Sequence, residues 1–207
     1  MNLSIDSVAE RLMAAAEGRK RYIVALAGPP GAGKSYRSAW LERAINERRP
    51  GVAAVVPMDG YHYDNAVLEP MGLLPVKGAP ETFDAAGLRH DLARLRSADC
   101  DVAVPVFDRP LDLSRAGGRV ITPRQRILIV EGNYLLLEEG PWPALRDYFD
   151  FSLFLHVDDE VLEQRLIQRW LGMGQDQAGA IAKARDKDML NTRLIKACSA
   201  AADLVWD

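Results

Sequence analysis

The run Gly28-Pro29-Pro30-Gly31-Ala32-Gly33-Lys34-Ser35 constrains this chain more than anything else in it, because it satisfies G-x-x-x-x-G-K-[ST] at every position. A short apolar stretch, Arg21–Ala27, precedes it, and a segment with helical character runs on to about Arg48. That strand, loop and helix order is what the motif needs physically. Its glycines let the backbone curl so that successive N–H groups converge on an anion. The helix that follows adds its free N–H groups and the positive end of its dipole. Lys34 then reaches the outer phosphates of a nucleoside triphosphate, and the Ser35 hydroxyl can ligate Mg²⁺. Gly28, Pro29, Pro30, Gly31, Ala32, Gly33, Lys34 and Ser35, with Tyr36 directly after them, are the expected nucleotide contacts. A glycine-rich turn that merely contains Lys and Ser is the alternative, and the flanking elements argue against it.

Short apolar runs alternate with amphipathic segments along the chain, the pattern of a sheet with crossover helices. Helices are expected over residues 5–18, 34–48, 84–97, from Asp158 as cap to about 171, and 177–197. Strands are expected over 21–27, 52–56, 102–106, 127–130, 151–157 and 202–206. The expected fold is therefore α/β: a three-layer α/β/α sandwich around a parallel sheet. With 207 residues, 48% of them hydrophobic, the chain fills one full-sized core, and residues 1–207 read as a single domain. Two stretches, 60–82 and 107–123, show no periodicity and exceed ordinary loop lengths. They read as substrate-binding loops or as containing short helices.

A formal net charge of -3 with interspersed signs argues against a nucleic-acid binder. Cys100 and Cys198 stand far apart without metal-ligand spacing and read as reduced thiols. His62, His90 and His156 form no zinc pattern. No apolar run approaches the roughly 20 residues of a membrane span, and the amino-terminal stretch is no signal peptide, so a cytoplasmic protein without a membrane partner is expected. Neither a monomer nor a dimer is excluded.

Two acids fall beyond the carboxyl ends of strands, where ligands sit in open α/β sheets. Asp59 follows the second strand in Met58-Asp59-Gly60-Tyr61-His62, and Glu131 ends the run Ile127–Val130. Phosphoryl transfer to an alcohol needs a carboxylate to orient and deprotonate the hydroxyl, and acids to organise Mg²⁺. Asp59 is the candidate base. Glu131 is the candidate for the metal, with Ser35, or for a substrate hydroxyl. The chain lacks the guanine-specifying N-K-x-D, and its single acid before Gly132 differs from the acid pair of many ATP-driven machines; both departures favour a kinase.

These segments resemble the uridine kinase, pantothenate kinase and phosphoribulokinase group of P-loop kinases. The glycine-rich loop, residues 58–62, Lys77-Gly78-Ala79-Pro80-Glu81-Thr82-Phe83-Asp84 and Glu131-Gly132-Asn133-Tyr134-Leu135-Leu136 occur in that group's order over nearly the whole chain. Within the group the chain looks like bacterial kinases associated with fructose transport. The resemblance implies a P-loop nucleoside triphosphate hydrolase fold with a helical lid, and Asp59 as catalytic base. It also implies that His62, Asp108 and Arg109 line the acceptor pocket, with Arg109 as a surface ion-pair partner the competing reading. Tyr61 and Tyr63 stack on the acceptor or pack against the loop. A lid at about 165–187 presents Arg165 and Arg169 on one helix face, and Lys183, Arg185 and Lys187 on the next helix. Arg169 is the favoured residue for stabilising charge in transfer. Asn191 matches a position near the adenine site, or is a helix-surface residue. The implied reaction moves the γ-phosphoryl of MgATP to a hydroxyl of a small molecule, a sugar such as fructose, with a nucleoside or pantothenate-like acceptor as alternative. The reading from another class is an ATP-binding regulator or ATPase without an acceptor.

Overall fold

Strand β1 (Tyr22–Ala27) is buried at every position, as a strand with helices on both its faces must be. It lies at the centre of a five-stranded sheet in a computed structural model that describes residues 3–207. The other strands are β2 (Ala53–Pro57), β5 (Ile127–Gly132), β6 (Phe151–Leu155) and β7 (Leu204–Trp206), in the order β2-β5-β1-β6-β7. Every pairing in this sheet is parallel.

Alternation along the strands divides the core into two layers. Val24, Leu26, Ile129 and Val55 face helices α1 (Ile5–Ala15), α2 (Lys34–Arg48) and α5 (Asp159–Gly172), which contribute Leu12, Leu41, Ile45, Leu162 and Leu166. Ile23, Ala25, Leu128 and Val130 face the other way. They meet Leu88, Leu92 and Leu95 of α4 (Ala85–Ser97), Ile195 of α7 (Met189–Cys198), and Trp142 and Leu145 of the 3₁₀ turn Trp142–Tyr148. The result is the expected three-layer sandwich.

The sheet does not take up all the strands. β3 (Val102–Asp108) pairs antiparallel with β4 (Leu113–Ile121) in a separate hairpin, with a register shift between Val104 and Val106. β4 carries Arg115, Gly117, Gly118 and Arg119, and only Ile121 in it is buried, so its sequence lacks the alternation that marks a half-buried strand. The hairpin is tied to the main sheet by Arg119, whose Nη1 donates to the Val55 carbonyl at 2.5 Å. The stretch 60–82 contains a helix α3 (Asn65–Leu68) and the 3₁₀ turns Leu74–Val76 and Pro80–Thr82. Likewise the expected helix over 177–197 divides into α6 (Gln177–Lys183), a π turn (Ala184–Asp188) and α7. Among the described residues no helix is long and apolar enough to cross a membrane.

Two glycines fix how the segment after β2 is seated. Met58–Tyr61 forms a 3₁₀ turn under β3. A Cβ on Gly60 would fall inside the van der Waals shell of the Pro105 carbonyl, and one on Gly132 would come 2.5 Å from Met58 Cβ. Both contacts are with groups that cannot swing aside, so the turn carrying Asp59 is wedged between the hairpin and the end of β5. Gly60→Ala is therefore expected to destabilise the protein by about 1–3 kcal/mol, the usual range for overpacking, read as a lower urea midpoint with an unchanged slope. A neutral result would mean that the hairpin rides loosely on the turn.

Candidate active site

The glycine-rich loop joins β1 to α2. Gly33 caps α2 with a left-handed φ of 91°, a conformation that favours glycine. Lys34 begins the helix, and its buried side chain curls back to donate from Nζ to the Pro29 carbonyl at 2.9 Å. Burial pushes its ammonium down to about 8, with the Glu131 and Asp59 carboxylates working in the opposite direction. The Ser35 hydroxyl donates to Glu131 Oε1 at 3.3 Å. Pro30, Gly31, Gly33, Lys34, Ser35 and Tyr36 line a cleft of about 880 Å³. Gly28, Pro29 and Ala32 do not line it. They support the loop instead: Gly28 packs against Leu155, Pro29 holds Lys34, and Ala32 is buried.

Strand register brings the two acids together. Pro57 of β2 pairs with Glu131 of β5, so Asp59 lies two residues beyond the end of β2, beside Glu131. Burial raises the Glu131 carboxyl to about 7. Asp59 reinforces the rise, while Lys34 and the Ser35 hydrogen bond oppose it. Asp59 is half-buried, and Arg109 Nη2 donates to its Oδ2 at 2.5 Å. Arg109 projects from the turn between β3 and β4, so the hairpin is the element that delivers this cation to the acids. It is both an ion-pair partner and part of the cleft wall.

His62 also lines the cleft. Its ring lies between Phe83, at 4.0 Å between centroids, and Phe107, at 4.6 Å. Burial lowers its pKa, which favours the neutral ring. Its Nδ1 lies 2.8 Å from the Asp59 carbonyl, which can only accept, so Nδ1 carries the proton and Nε2 is left as an acceptor. Asp108 is a correction. It accepts from the Leu111 N–H and pairs with Arg115 at 3.2 Å, bracing the hairpin turn, and it does not line the cleft. The reason is local: the Asp108 carboxylate is held by the Leu111 N–H and Arg115, while Phe107 and Arg109 on either side of it line the cleft. Tyr61 is buried with its hydroxyl on Asp91 at 2.9 Å, and neither it nor Tyr63 reaches the cleft.

The arm from α5 to α7 closes the other side. Arg169 and Trp170 share one buried carboxylate, Asp188, at 3.3 and 2.7 Å. Arg165 donates to the Gly31 carbonyl from outside the cleft, and Arg185 turns away to Glu163 at 2.7 Å. Asn191 lines the cleft and donates to the Gly78 carbonyl at 3.4 Å. The residues read from sequence omit Trp170, Asp188 and Lys77. The Lys77 Nζ is buried against Asn65 Oδ1 at 2.6 Å, the Asp112 carbonyl at 2.7 Å and the Asp112 carboxylate at 3.1 Å. The segment 77–84 contains the signal for Lys77, but Asp112 and Asn65, which hold it, come from the hairpin turn and from α3.

A parallel sheet whose first strand feeds such a loop, with two acids set against its Lys and Ser, defines a P-loop phosphotransferase. No protein-family model matches the chain. It is similar to a solved structure of a proposed fructose transport system kinase from Silicibacter sp. TM1040, with 41% identity, 100% of both chains covered and a TM-score of 0.93. It is 33% identical to a proposed uridine kinase of Schizosaccharomyces pombe over 211 residues, covering 98% of this chain and 89% of that one. It is 31% identical over 170 residues to the pantothenate kinase of Rhodopseudomonas palustris strain HaA2, of which it spans 54%. The chain belongs to the uridine kinase and pantothenate kinase group of P-loop kinases, and it is a small-molecule kinase.

The raised Glu131 carboxyl has a consequence for stability. The folded state holds this proton more tightly than the unfolded chain does. Its contribution is therefore complete below the ordinary value of 4.5 and is lost as pH rises toward about 7. Glu131→Gln should make the nucleotide-free protein melt higher than the parent at pH 8 and flatten the decline in Tm between pH 5 and 7. Calorimetry at these pH values checks it. An unchanged slope would place Glu131 in a solvated setting.

Proposed function

We propose that the protein transfers the γ-phosphoryl of MgATP to a hydroxyl of a small molecule, with Asp59 as the general base. The observation that carries this reading is the placement of Asp59 and Glu131 together against Lys34 and Ser35 in one cleft. In the transfer, Asp59 accepts the hydroxyl proton as the new O–P bond forms. The bond to the ADP oxygen breaks in line, and its electron pair leaves with ADP. Lys34 exchanges its contact with the Pro29 carbonyl for the outer phosphates, whose charge offsets the burial that weakens its ammonium. Arg169, on an arm that would act as a lid over about residues 165–187, offsets charge developing on the phosphoryl group.

The chemistry of the pair Ser35 and Glu131 fits Mg²⁺, which takes one or two protein oxygens and completes its shell with phosphates and water. These two residues would hold the ion, which screens phosphate charge when bound. A raised carboxyl on Glu131 suits this role, since a nearby cation favours its ionised form.

For the acceptor we favour a sugar or similarly polyhydroxylated compound. The Nε2 of His62, Asp59 and Arg109 offer donors and acceptors suited to several hydroxyls, and a site of this kind rejects analogues that leave its polar groups unpaired. The relative from Silicibacter supports the same choice by its name. The wall formed by Phe83, His62 and Phe107 favours a nucleoside as second reading. Acceptor-dependent ADP release with fructose, ribose, uridine and pantothenate at matched concentrations distinguishes them. Preference for uridine or pantothenate would sink the sugar reading alone, and ADP release indifferent to every acceptor would point to an ATPase or regulator.

Asp59→Asn should leave nucleotide affinity near the parent value while reducing turnover about 10²–10⁴-fold, the usual size of a general-base contribution. An equal loss of nucleotide affinity would move Asp59 to the metal. Lys34→Ala should weaken MgATP binding and nearly abolish transfer, and a variant transferring at the parent rate would overturn the P-loop assignment.

A further inference from the structure

Six cations line the cleft, and four of them are accounted for. Lys34 lies with Glu131 and Asp59, Arg109 with Asp59, Lys77 with Asp112, and Arg169 with Asp188. Lys183 and Lys187 remain. Neither has an ion-pair or hydrogen-bond partner among the described residues. Instead their ammonium groups stand over the Trp170 ring, 4.6 and 5.8 Å from its centroid. Trp170 cannot swing away, because its Nε1 is bonded to buried Asp188.

Lys183 closes α6 and is exposed, whereas Lys187 sits half-buried in the π turn. Burial weakens the charge of Lys187, and the neighbouring Lys183 and Arg169 weaken it further against Asp188 and Asp112. Half-burying an ammonium without a hydrogen-bonded anion is unfavourable, and the cation–π contacts offset only part of that cost. The π turn makes the arrangement possible. Its extra residue per turn lets Asp188 reach toward α5 while Lys187 lines the cleft, and such turns recur at functional sites.

Lys187 stands at the wall of the cleft formed by Lys77 and Gly78. Its Cε lies 3.9 Å from where a Cβ on Gly78 would stand, and Gly78 follows the Lys77 that grips Asp112. The carboxylates that bear on Lys187 are Asp188 and Asp112, whereas those that bear on Lys34 are Glu131 and Asp59. We propose that the acceptor carries, besides its reacting hydroxyl, an anionic group, a phosphate monoester or a carboxylate, and that Lys187 with Lys183 binds this group beside Gly78. The proposal rests on the kinase reading above and narrows its acceptor from a neutral polyol to a hydroxyl-bearing anion.

The test is calorimetric binding to protein loaded with Mg²⁺ and a non-hydrolysable ATP analogue, using matched pairs: fructose and fructose 6-phosphate, ribose and ribose 5-phosphate, glycerol and glycerate. The charged member of at least one pair should bind about 10-fold or more tightly than its neutral partner, as a charge-assisted contact gives. Phosphate pairs and the carboxylate pair tell the two anions apart. Lys187→Ala should erase that preference and Lys187→Arg should keep it, both with unchanged affinity for the ATP analogue. The proposal fails if neutral partners bind equally, if no charged member shows Lys187-dependent binding, or if Lys187→Ala loses analogue affinity instead. Binding that persists without turnover would sink the transfer reading and leave the anion site standing. A neutral sugar turned over by the parent with a higher kcat/KM than its charged counterpart would sink the anion site alone.

Discussion

The working end of this protein depends on keeping a lysine and a glutamate buried side by side. Lys34 and Glu131 each sit where burial disfavours their charge, the ammonium drawn down to about 8 and the carboxyl up to about 7. Each partly relieves the other, and neither finds full compensation inside the protein. A polyphosphate with its cation, bound as proposed, would supply what both lack, so that ligand binding and the repair of an electrostatic deficit would be one event. The rest of the architecture serves this pair. The sheet register sets Asp59 beside it, and the wedged turn at Gly60 keeps it there.

The hairpin and the helical arm give the cleft its two other walls, and each is braced by one carboxylate with two partners. The Asp112 carboxylate receives both Lys77 and Asn65. Asp188 receives both Arg169 and Trp170. An acid serving two donors fixes orientation as well as charge, because moving either donor leaves the acid under-bonded, and Asp188 does so while buried. The arm is thus organised around Asp188.

What was legible in the sequence follows from how local the signal is. The loop 28–35 and the main layers declare themselves within windows of a few residues, and so do Asp59 and Glu131 as acids at strand ends. β4 was not, since a strand bearing Arg115, Gly117 and Arg119 outside the core has no apolar alternation to show. The error at Asp108 has the same root: Arg115, which holds its carboxylate, lies on that unseen strand. Asp188 and Lys77 escaped because their partners lie 18 and 35 residues away, at distances that only the fold closes. The π turn left no mark either, because 177–197 has helical spacing throughout and the extra residue is a tertiary effect.

The contact from Arg119 to the Val55 carbonyl has a meaning apart from the cleft. β2 is an outer strand of the sheet, and an outer strand offers a row of free backbone groups to any other extended chain. The hairpin lays a charged side chain on that row. At the opposite margin β7 is three residues long, too short to template another strand. Both margins of the sheet are thereby blunted against edge-to-edge growth, so a segment that helps build the cleft also guards the protein against aggregation through its own sheet.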